Sequence, residues 1–364
     1  DPKTQSKMIC LDFNSLYPSA MHKFSYPVGM AEPIVKPDGP IDDIKIFKDY
    51  LFSPEYPHYI IEVTFDAGNI RYPIHPYKTE KRNLIYKSGV FTGVYNDVDV
   101  REMIRDGYKV VNIKDGIYWQ QSEKIFTHLI KTLYELRKIQ KQNNDEREYT
   151  TKIILNSIFG KFMECIKTVS SYNKPKHEEY IIRETKLKNG QTEYITKMVH
   201  DMDNNPVYIG GYIMSYARKL MNEYIDMIGR DKIYYSDTDS LYIELSDMKN
   251  IKLGEDLGEM KNDYGDGKYI TEAYFLDLKR YLLIFNDGTA KAKFLGLNFK
   301  HIDVGMTEQL KIEGEDNINK IRLLFKDLMN TEINKTFIPI IQEKWSRINN
   351  EIKIDTKSIS YSIS

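Results

Sequence analysis

A chain of 364 residues with 41% apolar side chains is long enough for two or three compact units and can bury substantial cores, which makes it a globular protein. Its 52 Lys and Arg against 53 Asp and Glu leave a formal charge of −1, which excludes a uniformly basic surface and leaves only local patches for binding polyanions. No apolar stretch approaches the roughly 18 to 20 residues of a membrane helix, residues 1–11 lack the basic-then-apolar pattern of an export signal, and Cys10 and Cys165 show no CxxC spacing; a chain without a membrane association, with buried reduced thiols and a cytoplasmic location, is expected.

MICLDF at 8–13 is a short apolar run ending in an acid, and the following NSLYPSAM reads as a turn into a helix with Pro18 near its first turn. Asp12 is therefore expected at the carboxyl end of a strand. From about 30 to 125 short β-rich segments are broken by Pro and Gly, among them HYIIEVTF, SGVFTGVYN and GYKVVNI, with a helix expected at 97–106. This stretch reads as a mixed α+β insertion. Two long helical patterns at about 123–142 and 146–164, joined by the polar QNNDE turn, predict an antiparallel helical pair. Arg137 and Lys152 stand nearly equidistant from that turn. Residues 178–200 alternate in strand fashion around Lys188-Asn189-Gly190, where Asn-Gly is a hairpin signal. A helix at about 209–228 leads into the strand DKIYY, the turn SDTD and the strand SLYIEL. The remainder, from about 268, is expected to begin with strands and to end in amphipathic helices near 317–350. Lys and Arg gather between Lys131 and Lys167 and between Lys279 and Lys300, whereas acids gather at 247–266 and 308–316, which leaves room for basic channels in a neutral chain.

Three separated segments carry the chemistry: DFNSLYPS at 12–19, KIILNSIFG at 152–160 and YSDTDS at 235–240. An acid at a strand end is often a turn former or helix cap. Two carboxylates two residues apart at a tight turn repel one another unless a cation lies between them, although a polar hairpin turn would look the same. Nucleotide transfer needs hard-oxygen ligands for divalent cations and positive groups to hold a triphosphate, which Asp12 and Asp239, and Arg137 with Lys152, can supply. Asn156, Ser157 and Gly160 fall on or near the helix face of Lys152, where small residues would admit a base pair; a tight helix crossing would want the same pattern.

In that order, the three segments resemble motifs A, B and C of family-B DNA polymerases, and LKRYLLI at 278–284 resembles their Lys-x-Tyr element through Lys279, Arg280 and Tyr281. The similarity is greatest to the protein-primed branch of phages and linear plasmids, since the stretches between A and B and between B and C both look expanded. The resemblance implies an α+β right-hand fold of palm, fingers and thumb with two terminal-protein-region insertions. It implies transfer of deoxynucleotides from dNTPs to a primer 3′-hydroxyl on primer-template DNA, assisted by two Mg²⁺ ions for which Mn²⁺ can substitute. Asp12 and Asp239 would bind both metals, with the backbone carbonyl of Phe13 as a further ligand and Asp237 as adjacent support. Tyr17 would block a ribose 2′-hydroxyl, Arg137 and Lys152 would hold the triphosphate, and Asn156 and Phe159 would line the nucleotide pocket. Lys279 and Tyr281 would contact the primer and Lys293 the primer or template, with Ser157 and Gly160 also beside the DNA.

Phe159 stands where the family usually has tyrosine, so ring stacking is kept and any hydrogen bond from the hydroxyl is lost. The family also carries a proofreading exonuclease upstream of motif A, whereas eleven residues precede Asp12 here; proofreading is expected from a separate domain or chain. The resemblance divides the chain into palm at 1–29, a first insertion at 30–122, fingers at 123–162, a β-hairpin insertion at 163–205, palm again at 206–300 and thumb at 301–364. A terminal protein is the expected priming partner, and replication of a viral or plasmid genome in the host cytoplasm the expected setting. Two rivals are a catalytically inactive polymerase-like DNA-binding or assembly protein, and a metal-dependent nuclease. Intact carboxylates, Lys152 and Tyr17 argue against the first, and a nuclease has no need of Lys152, Asn156 or a sugar gate.

Overall fold

The computed structural model describes residues 7–34, 53–54, 56–78, 84–163, 168–174, 181–186, 190–197, 205–294, 315–330, 336–348 and 351–363. The chain divides into two units, one made of Asp1–Asn14 with Tyr224–Ser364 and the other of Ser15–Glu223. Both breaks fall within segments expected to form the palm.

The first unit is built on an antiparallel sheet in the order Ile233–Asp237, Ser240–Glu244, Met8–Phe13, Ile270–Asp277, Arg280–Phe285 and Ala290–Phe294, with the short strand Met260–Asn262 also pairing with Met8–Phe13. MICLDF can sit in the middle because its apolar side chains are buried on both faces, with Cys10, Leu11 and Phe13 nearly inaccessible. One core gathers Met8, Cys10, Tyr242, Ile270, Tyr281, Leu283 and Phe285. Helix Glu315–Asn330 packs on the Ile270–Asp277 strand, where Arg322 donates to both carboxylate oxygens of Glu272 at 2.9 and 2.8 Å.

Beyond that helix the expectation is corrected. Residues 336–348 and 351–363 are not helical but form two strands paired from Thr336 opposite Ile363 to Ile348 opposite Glu351. Pro339 would break a helix interior. In EIKIDTKSISYSI the β-branched and aromatic residues recur every second position in two runs, Ile352, Ile354 and Thr356 and then Ile359, Tyr361 and Ile363, which suits a pleated ribbon better than a helix.

In the second unit, a four-stranded antiparallel sheet runs in the order Glu32–Pro33, Lys109–Trp119, His58–Asp66 and Val90–Asn96. Along His58–Asp66 the side chains of Tyr59, Ile61, Val63 and Phe65 are buried, whereas Ile60, Glu62, Thr64 and Asp66 are half-buried, as strand alternation requires. They share a core with Val100 and Met103 of helix Asp97–Arg105. The predicted helical pair is Thr127–Gln142 and Arg147–Phe162, closed at Asn144, whose φ is 52°, and pinned by a 2.7 Å hydrogen bond from Thr151 to the Gln140 side chain. The alternating segment forms Ile181–Lys186 and Thr192–Lys197, joined by Thr168–Ser171 in one sheet. Gly190 has a φ of 84°, while Lys188 and Asn189 lie outside the described residues, as does Cys165. Helix Val207–Ile228 buries Tyr212, Ile213, Tyr216 and Ala217.

Candidate active site

In the first unit the carboxylates are placed by three tight pieces of backbone. Asp12, the fifth residue of its strand, stands opposite Ser240 on one side and Lys261 on the other. Asp237 and Ser240 close a hairpin over a two-residue turn, Thr238-Asp239, in which Thr238 is left-handed with a φ of 59°. A β-branched residue resists that conformation, so the turn is held by its surroundings. The Phe13 N–H donates to the Asp239 carbonyl at 2.8 Å and the Asp239 N–H to the Asp237 carbonyl at 2.7 Å. Those bonds lock the turn to the Asp12 strand. Lys279 occupies a second two-residue turn, between Ile270–Asp277 and Arg280–Phe285, also left-handed at 55°, and its N–H donates to the Tyr235 hydroxyl at 2.7 Å. Two of the four left-handed non-glycine residues among those described therefore lie in the turns that carry these side chains, and a third, Ser15, follows Asn14 directly.

These turns open on a cleft of about 310 Å³ lined by Asp12, Asp237, Asp239 and Asp263, by Lys279, Lys291 and Lys293, and by Cys10, Tyr242 and Tyr281. Lys279 and Lys293 stand 3.6 and 3.8 Å from Asp237, Lys291 3.9 Å from Asp263, and Lys261 3.3 Å from Asp12. Among the described residues Asp239 has no ion-pair partner. Burial, and then the nearby Asp12 carboxylate, push its carboxyl up to about 6. Burial likewise pushes the Cys10 thiol up to about 12, so this cysteine is an inert packing group. Tyr281 is buried in the cleft floor against Tyr235, Tyr242 and Phe275. Phe13 is buried too, its ring edge-on to Tyr224 at 5.7 Å.

A half-buried carboxylate among three other acids, without a cationic partner, is a place where a hard cation fits. Among the described residues no three His, Cys, Asp or Glu side chains converge as a metal cage. Mg²⁺ does not require one, since it is usually held by one or two carboxylates with waters and substrate phosphates completing the shell.

The second unit holds the remaining candidates. Tyr17, on helix Leu16–Lys23, stacks on Phe159 with ring centroids 4.3 Å apart and planes 7° from parallel. Arg137 donates from Nε to Glu148 at 2.7 Å across the helical pair; it is paired with this acid and not simply level with Lys152. Lys152, Asn156, Ser157 and Gly160 are exposed. A Cβ added at Gly160 would meet nothing within 4 Å, so a tight helix crossing does not account for this glycine.

Asp263, Lys291 and Lys261 were missed from sequence. Lys291 was legible beside Lys293, because KAK in a strand puts both lysines on one face. Asp263 and Lys261 sit in an acidic stretch with no motif, and only strand pairing brings them to Asp12 and the cleft.

A chain with an antiparallel sheet presenting acids at a hairpin turn in one unit and a helical pair in the other matches the fold of a solved polymerase. Phi29 DNA polymerase, in a ternary complex with primer-template DNA and incoming nucleotides, aligns with 99% of this chain at a TM-score of 0.62 and 16% identity. Its orthorhombic crystal form gives 0.61. The fold is thus the α+β right-hand polymerase fold. The chain belongs to the family of type B DNA polymerases, organellar and viral, whose model matches residues 2–251. A DNA polymerase of Kluyveromyces lactis is 25% identical over 87% of this chain, and a probable DNA polymerase of Ascobolus immersus 28% identical over 76%. The chain spans 33% and 22% of the length of these two relatives and 58% of phi29 polymerase. Family-B polymerases generally use divalent metals. Among the described residues no helix is long and apolar enough to cross a membrane.

Proposed function

We propose that this chain performs DNA-templated deoxynucleotidyl transfer: the primer 3′-oxygen forms a bond to the α-phosphorus of a dNTP as the bond to pyrophosphate breaks. The observation that carries the reading is Asp239 in a cleft with Asp12, its carboxyl raised to about 6 and without an ion-pair partner among the described residues. Asp12, Asp239 and the Phe13 carbonyl would hold two divalent ions, Mg²⁺ or Mn²⁺, with Asp237 in support. Bound there, such ions would acidify the primer hydroxyl and offset charge on the triphosphate.

The chain's own side chains then bind and orient. Lys152 and Arg137 hold the triphosphate, Tyr17 excludes a 2′-hydroxyl, and Asn156 with Phe159 lines the nucleotide pocket. Lys279, Tyr281, Lys293, Ser157 and Gly160 face the DNA. Arg137 would exchange Glu148 for phosphate or hold it at one edge of its guanidinium. Palm, fingers and thumb follow the boundaries given above, with 30–122 as the insertion that docks a terminal protein and 163–205 as an arm that closes over the template path; proofreading comes from another domain or chain. The reduced, buried Cys10 suits a host cytoplasm.

Primer extension on a defined template with Mg²⁺ tests the reading. Asp12→Asn and Asp239→Asn should each abolish extension while DNA binding and the circular-dichroism spectrum persist. Extension near the wild-type rate by either variant refutes the metal assignment.

A further inference from the structure

Strand Met260–Asn262 pairs with Met8–Phe13 off the main path of the sheet. Its register sets Leu11 opposite Asn262, Asp12 opposite Lys261 and Phe13 opposite Met260. Directly opposed residues of an antiparallel pair present their side chains to the same face, with Cβ atoms roughly 5 Å apart. The backbone thus brings Lys261 and Asp12 together whichever rotamers they adopt, and Nζ lies 3.3 Å from Oδ2. The strand is fixed at both ends: the Asn14 N–H donates to the Glu259 carbonyl at 2.9 Å and the Asp263 N–H to the Cys10 carbonyl at 3.0 Å. Met260 is buried between them. The other lysines of the cleft stand beside different acids, Lys279 and Lys293 by Asp237 and Lys291 by Asp263.

We propose that Lys261 is a positioning residue that serves as an internal counter-ion to Asp12, keeping divalent-cation affinity low in the nucleotide-free protein and letting the site fill when a triphosphate arrives. The inference rests on the metal role proposed for Asp12. Four acids and four lysines leave the neighbourhood close to neutral. A bare divalent cation approaching Asp12 must work against an ammonium already in contact with the same carboxylate. A cation that comes with a triphosphate brings its own negative charge, so the ammonium attracts the complex even as it opposes the free ion. Lys261 is partly exposed, at 39% of its side chain, so the opposition is modest and the metal can still bind.

Calorimetric titration of Mn²⁺ into the nucleotide-free protein tests this, with no turnover involved. Lys261→Met should tighten Mn²⁺ binding roughly three- to tenfold and reduce the further tightening caused by a dNTP, whereas Lys261→Arg, which keeps the charge, should stay within about twofold of wild type. Lys261→Gln should repeat the result of the methionine variant, and melting curves should show all variants folded. Unchanged or weaker Mn²⁺ binding in either neutral variant overturns the inference. Asp12→Asn separates the two readings. If it abolishes Mn²⁺ binding while the neutral Lys261 variants bind as wild type, only the counter-ion role falls; if it binds as wild type, the metal role of Asp12 falls and the counter-ion role with it.

Discussion

Tyr17 and Phe159 come from motifs far apart in sequence, yet their rings stack at 4.3 Å, a contact worth about 1 kcal/mol beyond the area it buries. In the proposed function the stack would hold the Tyr17 ring in one plane, where it would block a ribose 2′-hydroxyl. Phe159 would then act through Tyr17 as well as in the proposed nucleotide pocket. Tyr17→Val should lower the ratio of deoxy- to ribonucleotide kcat/KM by about tenfold or more. Phe159→Ala should lower it in the same direction but less, and adding it to Tyr17→Val should change little. Should the single Phe159 variant leave the ratio untouched, the stack is ordinary packing. Asp239 gives a second test at this scale. Its folded value of about 6 lies above its ordinary 3.8, so between these values the folded state holds the extra proton, and the contribution to stability is present at low pH and lost as pH rises through about 6. Without metal, Asp239→Asn should raise the melting temperature at pH 7.5, and the gain should shrink towards pH 5. Mn²⁺ affinity of the wild type should move the opposite way, falling as pH drops through 6, because the ion needs the ionised carboxylate. A pH-independent Asn effect contradicts the assignment.

Helix Asp97–Arg105 begins with Asn96 accepting the Asp99 N–H at 3.1 Å, the arrangement expected of a helix cap. Its first residue does more than favour the helix dipole. One oxygen of buried Asp97 meets His58 Nδ1 at 3.3 Å, the Tyr59 N–H at 3.4 Å and the Tyr212 hydroxyl at 2.7 Å. That oxygen ties the sheet, the short helix and helix Val207–Ile228 at a single point. Burial, followed by the Asp97 charge, holds the Tyr212 phenol well above its ordinary value, so it stays a donor at any working pH. Asp97→Ala strands several buried donors at once and should cost about 3 kcal/mol in urea unfolding. Asp97→Asn, which keeps an acceptor oxygen, should cost less. Equal losses from the two variants would mean that helix capping and not the network dominates.

Over the whole chain, a charge of −1 gives no long-range pull on DNA, so sustained contact depends on local lysines and on segments that embrace the strand. The paired strands Ile181–Lys186 and Thr192–Lys197 are the candidate arm. Deleting 181–197 should cut processivity and strand displacement much more than addition of one nucleotide to a short gapped primer. Equal loss of both would make the hairpin a folding element and remove the mechanical support for protein priming.

Much was legible along the chain because it depends on local pattern. MICLDF had to be a buried strand, HYIIEVTF a strand with one buried face, and the QNNDE turn a bend between two helices, since periodicity and turn chemistry act within a few residues. Asp12, Lys152 and the DTD turn stood out because their spacing within each motif is itself local. The carboxyl-terminal expectation held for helix Glu315–Asn330 and failed beyond it, where Pro339 and the two-residue period of the final segment outweigh amphipathic character. Register, the left-handed turns at Thr238 and Lys279, and the pairing of Arg137 with Glu148 could not be read, because each depends on what another segment presents. Sequence alone supplied the groups proposed to bind a cation and a triphosphate. The tertiary structure alone decided that Asp239 is raised towards neutrality, that Asp263 and Lys291 join its cleft, and that Lys261 stands against Asp12, since electrostatic energy depends on distance in space and not on separation along the chain.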